Sequence, residues 1–142
     1  MPWKYPLPPE VNAEKKRKYH EKLATDVDRS LKYFHSTSRK GAVRREIEFT
    51  ITQQDVIDLW YKQKGRCAVS GVPMTLTHGT TSKHNPTKVS IDRIDNNVGY
   101  IKENIQLITW QVNCSKGTFD VEQLFEMCKN VVSYQRKLSK QR

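Results

Sequence analysis

The sequence predicts an α+β fold: a strand–loop–strand–helix unit with a small hairpin before it, set between helices. Three observations carry that expectation. Residues 88–116, KVSIDRIDNNVGYIKENIQLITWQVNCSK, hold two short β-branched runs parted by a polar loop and followed by a helical stretch. Residues 11–46 and the stretch after Asp120 lack proline and repeat apolar residues at spacings of three and four. The chain has 142 residues, 36% apolar and 28% charged, enough for one small domain with appendages. It divides into a basic helical N-terminal arm (1–50), a core (51–118) and a C-terminal amphipathic helix with a basic tail (119–142).

In order along the chain, residues 1–10 carry Pro2, Pro6, Pro8 and Pro9 and predict an extended arm, with Trp3 and Tyr5 free to dock. Asn12 can cap the helical region that follows, where Leu23, Val27, Leu31 and Phe34 make one narrow apolar stripe. Gly41 is expected to break or end that helix. Residues 48–51 predict a short extended entry. Thr52, with Asp55 three residues on, caps the next helix, whose apolar face is Val56, Ile57, Leu59 and Trp60 and whose stop is Gly65 at C′. RCAVSGVPMTL, 66–76, predicts a knuckle turning at Ser70-Gly71. A polar loop with His78 and His84 leads into the central unit. Asp120 with Gln123 caps the last helix, whose apolar face is Leu124, Phe125, Cys128, Val131, Val132 and Leu138, with Cys128 expected as a small core residue.

Charge is the strongest global signal. The net charge is +10, and the residues up to Arg45 hold twelve Lys or Arg against five Asp or Glu. Residues 129–142 add five basic residues and no acid. A surface this basic calls for a polyanion, nucleic acid first among them. No stretch approaches the ~20 apolar residues of a membrane span, and MPWKYPLPPE has no apolar signal core. The expectation is a cytoplasmic protein without a membrane partner, in a bacterial host if phage-encoded. Three cysteines, Cys67, Cys114 and Cys128, form no CxxC pair, which argues against a disulfide scaffold and an all-cysteine zinc. Walker A, GxGxxG, GxSxG and HExxH motifs are absent.

Within the central unit, Asp92 closes the first strand, where a rigid backbone can aim a carboxylate at a cleft. Asn97 and Gly99 suit a tight loop in which glycine takes positive φ. Asn113 and Lys116 share one helix face. If that face looks at the strand end, Asn113 Oδ1 and Asp92 can hold one divalent cation, with Lys116 nearby for a phosphate. The blander reading is that Asp92 and Asp95 cap or pair with arginines and Asn113 is an exposed helix residue.

The run Asp92-Arg93-Ile94-Asp95, then Gly99-Tyr100, Asn104, Asn113 and Lys116, resembles the HNH (His-Me finger) nuclease family, in a subgroup common among phage-encoded enzymes. The knuckle at 65–74, FTIT at 49–52 and WxxQ at 60–63 are also similar, so the resemblance covers residues 39–118. It implies a ββα-metal core and a metal-dependent endonuclease cutting double-stranded DNA, homing- or restriction-like. Asp92 and Asn113 would then ligate Mg²⁺ or Mn²⁺, and Asn104 would brace the loop between the strands. Cleavage of both strands would call for a homodimer. Backbone contacts are expected from Lys15, Lys16, Arg17, Arg39, Lys40, Arg44, Arg45 and Lys116.

Two departures from the family pattern stand out. Its general-base His after the Asp is Arg93 here, and a guanidinium cannot accept a proton near neutral pH. Candidates to replace it are His35 and His84 first, then His78, Tyr100 and Tyr61. Relatives with paired CxxC motifs bind structural zinc; Ser70 stands where a second cysteine would follow Cys67, so no zinc is expected. Alternatives are an HNH-derived DNA-binding module that has lost catalysis, with Arg93 as the scar, and a structural RNA-binding protein.

Overall fold

The computed structural model describes residues 13–19, 26–76 and 85–142. The proline-rich arm, Leu23 and the loop carrying His78 and His84 lie outside the described residues. Helix α1 spans 13–19 with every residue exposed and a Glu14–Lys18 pair at 2.9 Å. Four further helices follow: α2 (Val27–Arg44), α3 (Gln53–Lys62), α4 (Trp110–Lys116) and α5 (Val121–Lys140). The strands β1 (Val89–Arg93) and β2 (Ile105–Thr109) pair antiparallel, with Val89 opposite Thr109 and Asp92 opposite Gln106. The fold is mixed α+β, with strand, loop, strand and helix in the expected order. No helix among the described residues is long and apolar enough to cross a membrane.

Helix α2 corrects the expected boundary at residue 50. Asp26 caps it, accepting a hydrogen bond from Arg29 N, and Leu31 and Ala42 are fully buried in the same core as Val56, Leu107 and Ile108. It packs on α3 and β1, so the region expected to be an arm supplies one wall of the domain. Gly41 does not end it. A glycine costs a helix only about 1 kcal/mol, and burial of Ala42 one residue later outweighs that. The helix closes at Arg45, with Glu46 at positive φ.

Helix α3 begins with a complete capping box: Asp55 N donates to Thr52 Oγ1 (3.1 Å) and Thr52 N to Asp55 Oδ2 (2.8 Å). The Thr52 backbone bond holds the Asp55 carboxyl below its usual range, helped by Lys102 at 3.5 Å and opposed by partial burial. Thr52→Ala is expected to cost about 1 kcal/mol, read as a lower urea midpoint. Because Asp55's folded pKa is depressed, its contribution is present above the ordinary carboxyl pKa and fades as pH falls through the folded value. Asp55→Asn should therefore flatten the acid limb of the stability profile; an unchanged limb would remove this account. At the helix end Gln63 is the C-cap, so Lys64 takes C′ with positive φ and Gly65, also positive, follows one place later than expected.

The Gln63 side chain does unexpected work on the sheet. Its Nε2 donates to Leu107 O (2.9 Å) and its Oε1 accepts from Leu107 N (3.0 Å), satisfying the outer edge of β2 as a strand would. The knuckle docks on the same edge, with Ala68 N donating to Leu107 O and Arg66 bridging Pro73. Buried Cys67 Sγ accepts from Ser70 N and Thr109 N, both at 3.4 Å. Burial pushes this thiol up, but the donors of Ser70, Thr109 and Val69 outweigh it and hold it below the ordinary thiol range.

A second correction concerns Gly99, whose φ is not positive. It is required by close approach instead. Tyr100 N donates to Glu48 O and Thr50 N to Tyr100 O, drawing residues 48–50 so near that a Cβ on Gly99 would lie 2.7 Å from Glu48 Cβ and O.

Candidate functional site

A cleft of about 510 Å³ opens between α2 and the strand–strand–helix unit. Ser90, Asp92 and Arg93 from β1 and Asn113 from α4 line one side; Ser38, Gly41 and Arg45 line the other. The antiparallel register puts Asp92 across from Gln106, whose Nε2 donates to Asp92 Oδ2 at 2.9 Å. On α4, Asn113 Nδ2 donates to Ser90 Oγ at 2.7 Å, which leaves the amide oxygen as its other end.

Lys116 is the main correction at this site. It was expected to reach a phosphate, yet it is wholly buried. Its ammonium lies 3.1 and 3.3 Å from the two Asp92 oxygens and donates to Arg93 O at 3.0 Å. An ammonium this far from water is held only where a carboxylate and a carbonyl replace its hydration. Lys116 is therefore the counter-ion of Asp92 and not part of a nucleic-acid surface.

Arg93 reaches along the loop, where Nη1 donates to Asn96 O (2.8 Å) and Val98 O (3.1 Å) while the guanidinium lies 5.5 Å over the Tyr100 ring. Among the described residues its remaining N–H groups carry no protein hydrogen bond. Asn104 lies beneath that loop. Its Oδ1 accepts from Asp95 N, and its Nδ2 donates to Asp95 O, Val98 O and Gly99 O at 2.9–3.2 Å. It fixes the loop from below and does not line the cleft.

The candidate bases fare unevenly. His35 is buried on α2 away from the cleft, its Nε2 2.8 Å from Ile51 O and its ring edge-on to Phe49. Among the described residues its Nδ1 has no partner, yet it is shut off from solvent and from Asp92's cleft, so proton abstraction there has no geometric support. Tyr61 points away, donating to Asp28 at 3.0 Å, a bond that raises its pKa and keeps the phenol protonated. Tyr100 does border the cleft, where its hydroxyl accepts from Arg45 Nη2 at 3.2 Å. His84 and His78 lie outside the described residues.

Of the expected phosphate contacts, Lys15, Lys16 and Arg17 are exposed on α1, and Arg39, Lys40 and Arg44 on α2. Arg45 turns into the cleft. Sequence reasoning missed Ser90, Gln106 and Arg45's place in the cleft wall. Gln106 was open to discovery by counting the hairpin register outward from the loop; Ser90 was not, because nothing in a lone serine marks it.

As a cation site the donor set is small but of the right kind. Asp92 and Asn113 offer hard oxygens in one cleft, and Mg²⁺ takes one or two protein ligands with waters and substrate phosphates completing its shell. The Lys116 ammonium is the opposing charge. Among the described residues no group of three His, Cys, Asp or Glu is placed to hold a metal.

No protein-family model matches the chain. It is similar to an uncharacterized protein of Acanthamoeba polyphaga mimivirus, 31% identical over 130 residues that cover 88% of this chain and 22% of that protein. It is also similar to an uncharacterized 29.0 kDa protein of enterobacteria phage T4, encoded in the dda-modA intergenic region. There the identity is 28% over 105 residues, covering 74% of this chain and 39% of the relative. The chain thus spans well under half the length of these curated relatives, and both are viral.

Proposed function

We propose that this chain is a metal-dependent DNA endonuclease of the HNH type, hydrolysing phosphodiester bonds in double-stranded DNA. The observation that carries the reading is that β1 and α4 bring Asp92, Arg93 and Asn113 into one cleft, on a protein of net charge +10. Asp92 and Asn113 would hold Mg²⁺ or Mn²⁺, which supplies Lewis-acid stabilisation of charge on a phosphate. Arg93, with N–H groups left over from the loop, and Arg45 across the cleft would grip the phosphate on either side. Gln106 and Lys116 keep the Asp92 carboxylate in one orientation, and Asn104 keeps the loop in register with it.

A DNA-binding module without catalysis is the second reading. The observation favouring it is that no histidine among the described residues lines the cleft, while Asp92 already has a buried cationic partner.

Supercoiled plasmid incubated with Mg²⁺, Mn²⁺ or EDTA separates the two. Metal-dependent nicking that falls at least about 100-fold in Asn113→Ala is expected, the loss typical when one charge-stabilising group is removed. Asn113 is partly exposed with one side-chain bond, so this variant should fold; Asp92→Ala, by contrast, would strand a buried ammonium and confuse chemistry with stability. Binding without cleavage in any metal would favour the module. Salt provides a separate check: with six or more phosphate contacts, duplex affinity should drop by about 10³-fold or more between 50 and 200 mM salt. A flat response would defeat the basic-face assignment.

A further inference from the structure

The Tyr100 side chain joins the two arginines of the cleft. Its ring lies under the Arg93 guanidinium at 5.5 Å, and its hydroxyl accepts from Arg45 Nη2 at 3.2 Å. One phenol thus meets a cation from β1 and another from the end of α2. The residue is fixed from its other side as well. Tyr100 N donates to Glu48 O at 2.8 Å, Tyr100 O accepts from Thr50 N at 3.0 Å, and the ring packs 5.2 Å from Phe49. Tyr100 is only 6% exposed, yet it lines the cleft together with both arginines.

A phenol oxygen accepts a hydrogen bond and its hydrogen donates one, whereas a guanidinium only donates. The acceptor side of Tyr100 is taken by Arg45, which can receive nothing in return. Among the described residues the hydroxyl hydrogen has no acceptor, so the free end of this group is a donor. Arg45 is also only partly spent: Nε donates to Gly41 O at 3.1 Å, and Nη1 makes no protein hydrogen bond among the described residues. The carboxylate of the cleft, Asp92, already has its counter-ion in Lys116. What the cleft lacks is an acceptor of negative charge facing Tyr100 and the two guanidiniums.

From this arrangement we infer that Tyr100 is a third phosphate-binding residue of the cleft, its hydroxyl donating to an oxygen of the phosphate that Arg45 and Arg93 hold. A phosphate presents several acceptor oxygens, which suits donors arriving from different walls. Backbone bonds and packed neighbours order this donor before any ligand arrives, so little freedom is lost on binding. The role is the opposite of a general base, which would have to take a proton on the oxygen that Arg45 occupies. It rests on the reading of the cleft as a phosphate site, but not on cleavage there.

Anisotropy of a labelled DNA duplex in EDTA tests it without metal or turnover. Tyr100→Phe keeps the ring on Phe49 and beneath Arg93, so the urea midpoint should stay nearly unchanged. Its dissociation constant for the duplex should rise at least about tenfold, the loss of one hydrogen bond to a charged group. The same substitution in an Arg45→Met background separates contact from positioning. A direct donor still costs at least about threefold there, whereas a phenol that merely holds Arg45 costs nothing further and the inference falls. Carbon-13 at Tyr Cζ gives a second readout: the signal lost in Tyr100→Phe should shift as duplex is added to wild type. A signal that stays fixed while the duplex binds overturns the inference, as does wild-type affinity in Tyr100→Phe or a wild-type chain that binds no duplex. Plasmid left uncut in Mg²⁺ and Mn²⁺, with binding weakened by Tyr100→Phe, would sink the nuclease reading and uphold the phosphate donor.

Discussion

Lys116→Met is expected to destabilise the protein by about 3–5 kcal/mol, the cost of leaving a buried carboxylate without its counter-ion. Methionine matches the lysine stem in length and keeps the packing, so the loss isolates the ammonium. Asp92 would retain only the Gln106 amide on Oδ2, and the space behind it that the wholly buried ammonium occupied is closed to solvent. The double variant Lys116→Met with Asp92→Asn removes both charges and should recover most of that stability, because a neutral amide needs no counter-ion. Urea unfolding of wild type, single and double variants measures the coupling. If the double variant is as unstable as Lys116→Met alone, the two groups are not a coupled pair, and the assignment of Lys116 as counter-ion fails. The same pair shapes the function proposed for the cleft: with Lys116 already its counter-ion, Asp92 favours a cation that arrives together with a phosphate over one bound from bulk solvent.

Asn104→Ala is the second large effect. The side chain makes four hydrogen bonds to the backbone of the 95–99 loop, and the residue is buried. At a net ~0.5–1.5 kcal/mol per bond, with Asp95 N and three carbonyls left short of partners, the loss should reach about 2–4 kcal/mol. The loop carries the carbonyls that hold Arg93, and Arg93 in turn lies over Tyr100. Asn104→Ala should therefore loosen Arg93 as well and weaken duplex binding although Asn104 itself lies outside the cleft. Amide exchange at Asp95 and Ile94, both bonded to Asn104, reports the loosening directly. Exchange no faster than in wild type would mean that the loop is held by something other than this amide.

Local chemistry was legible in the sequence because it acts over a few residues. Both capping boxes, Thr52 with Asp55 and Asp120 with Gln123, form as their spacing implies, and the two strands and α4 fall where β-branched runs and the following helical stretch put them. What escaped was decided by neighbours distant in the chain. Gly41 reads as a helix breaker, but Ala42 is pulled into a core built from residues up to 66 positions later, and the helix runs on. Gly99 reads as a positive-φ turn, but residues 48–50 press against it and demand the absence of a Cβ. The C-terminal apolar stripe reads as core, yet the fold covers Leu124 and leaves Cys128, Val131 and Val132 in solvent.

The candidate site divides along the same line. Sequence alone determined that Asp92, Arg93, Asn104 and Asn113 belong to one compact unit in a strongly basic chain, because strand and helix periods carry those residues to predictable ends and faces. Only the tertiary structure decided what each one meets. Lys116 and Arg93 are both cations within reach of one carboxylate in any reading of the spacing. Packing buries the first against Asp92 and leaves the second on the cleft wall. Burial sets the dielectric around a charge and so turns one basic residue into a structural counter-ion while the other stays on the wall of an open cleft, and no local pattern encodes burial.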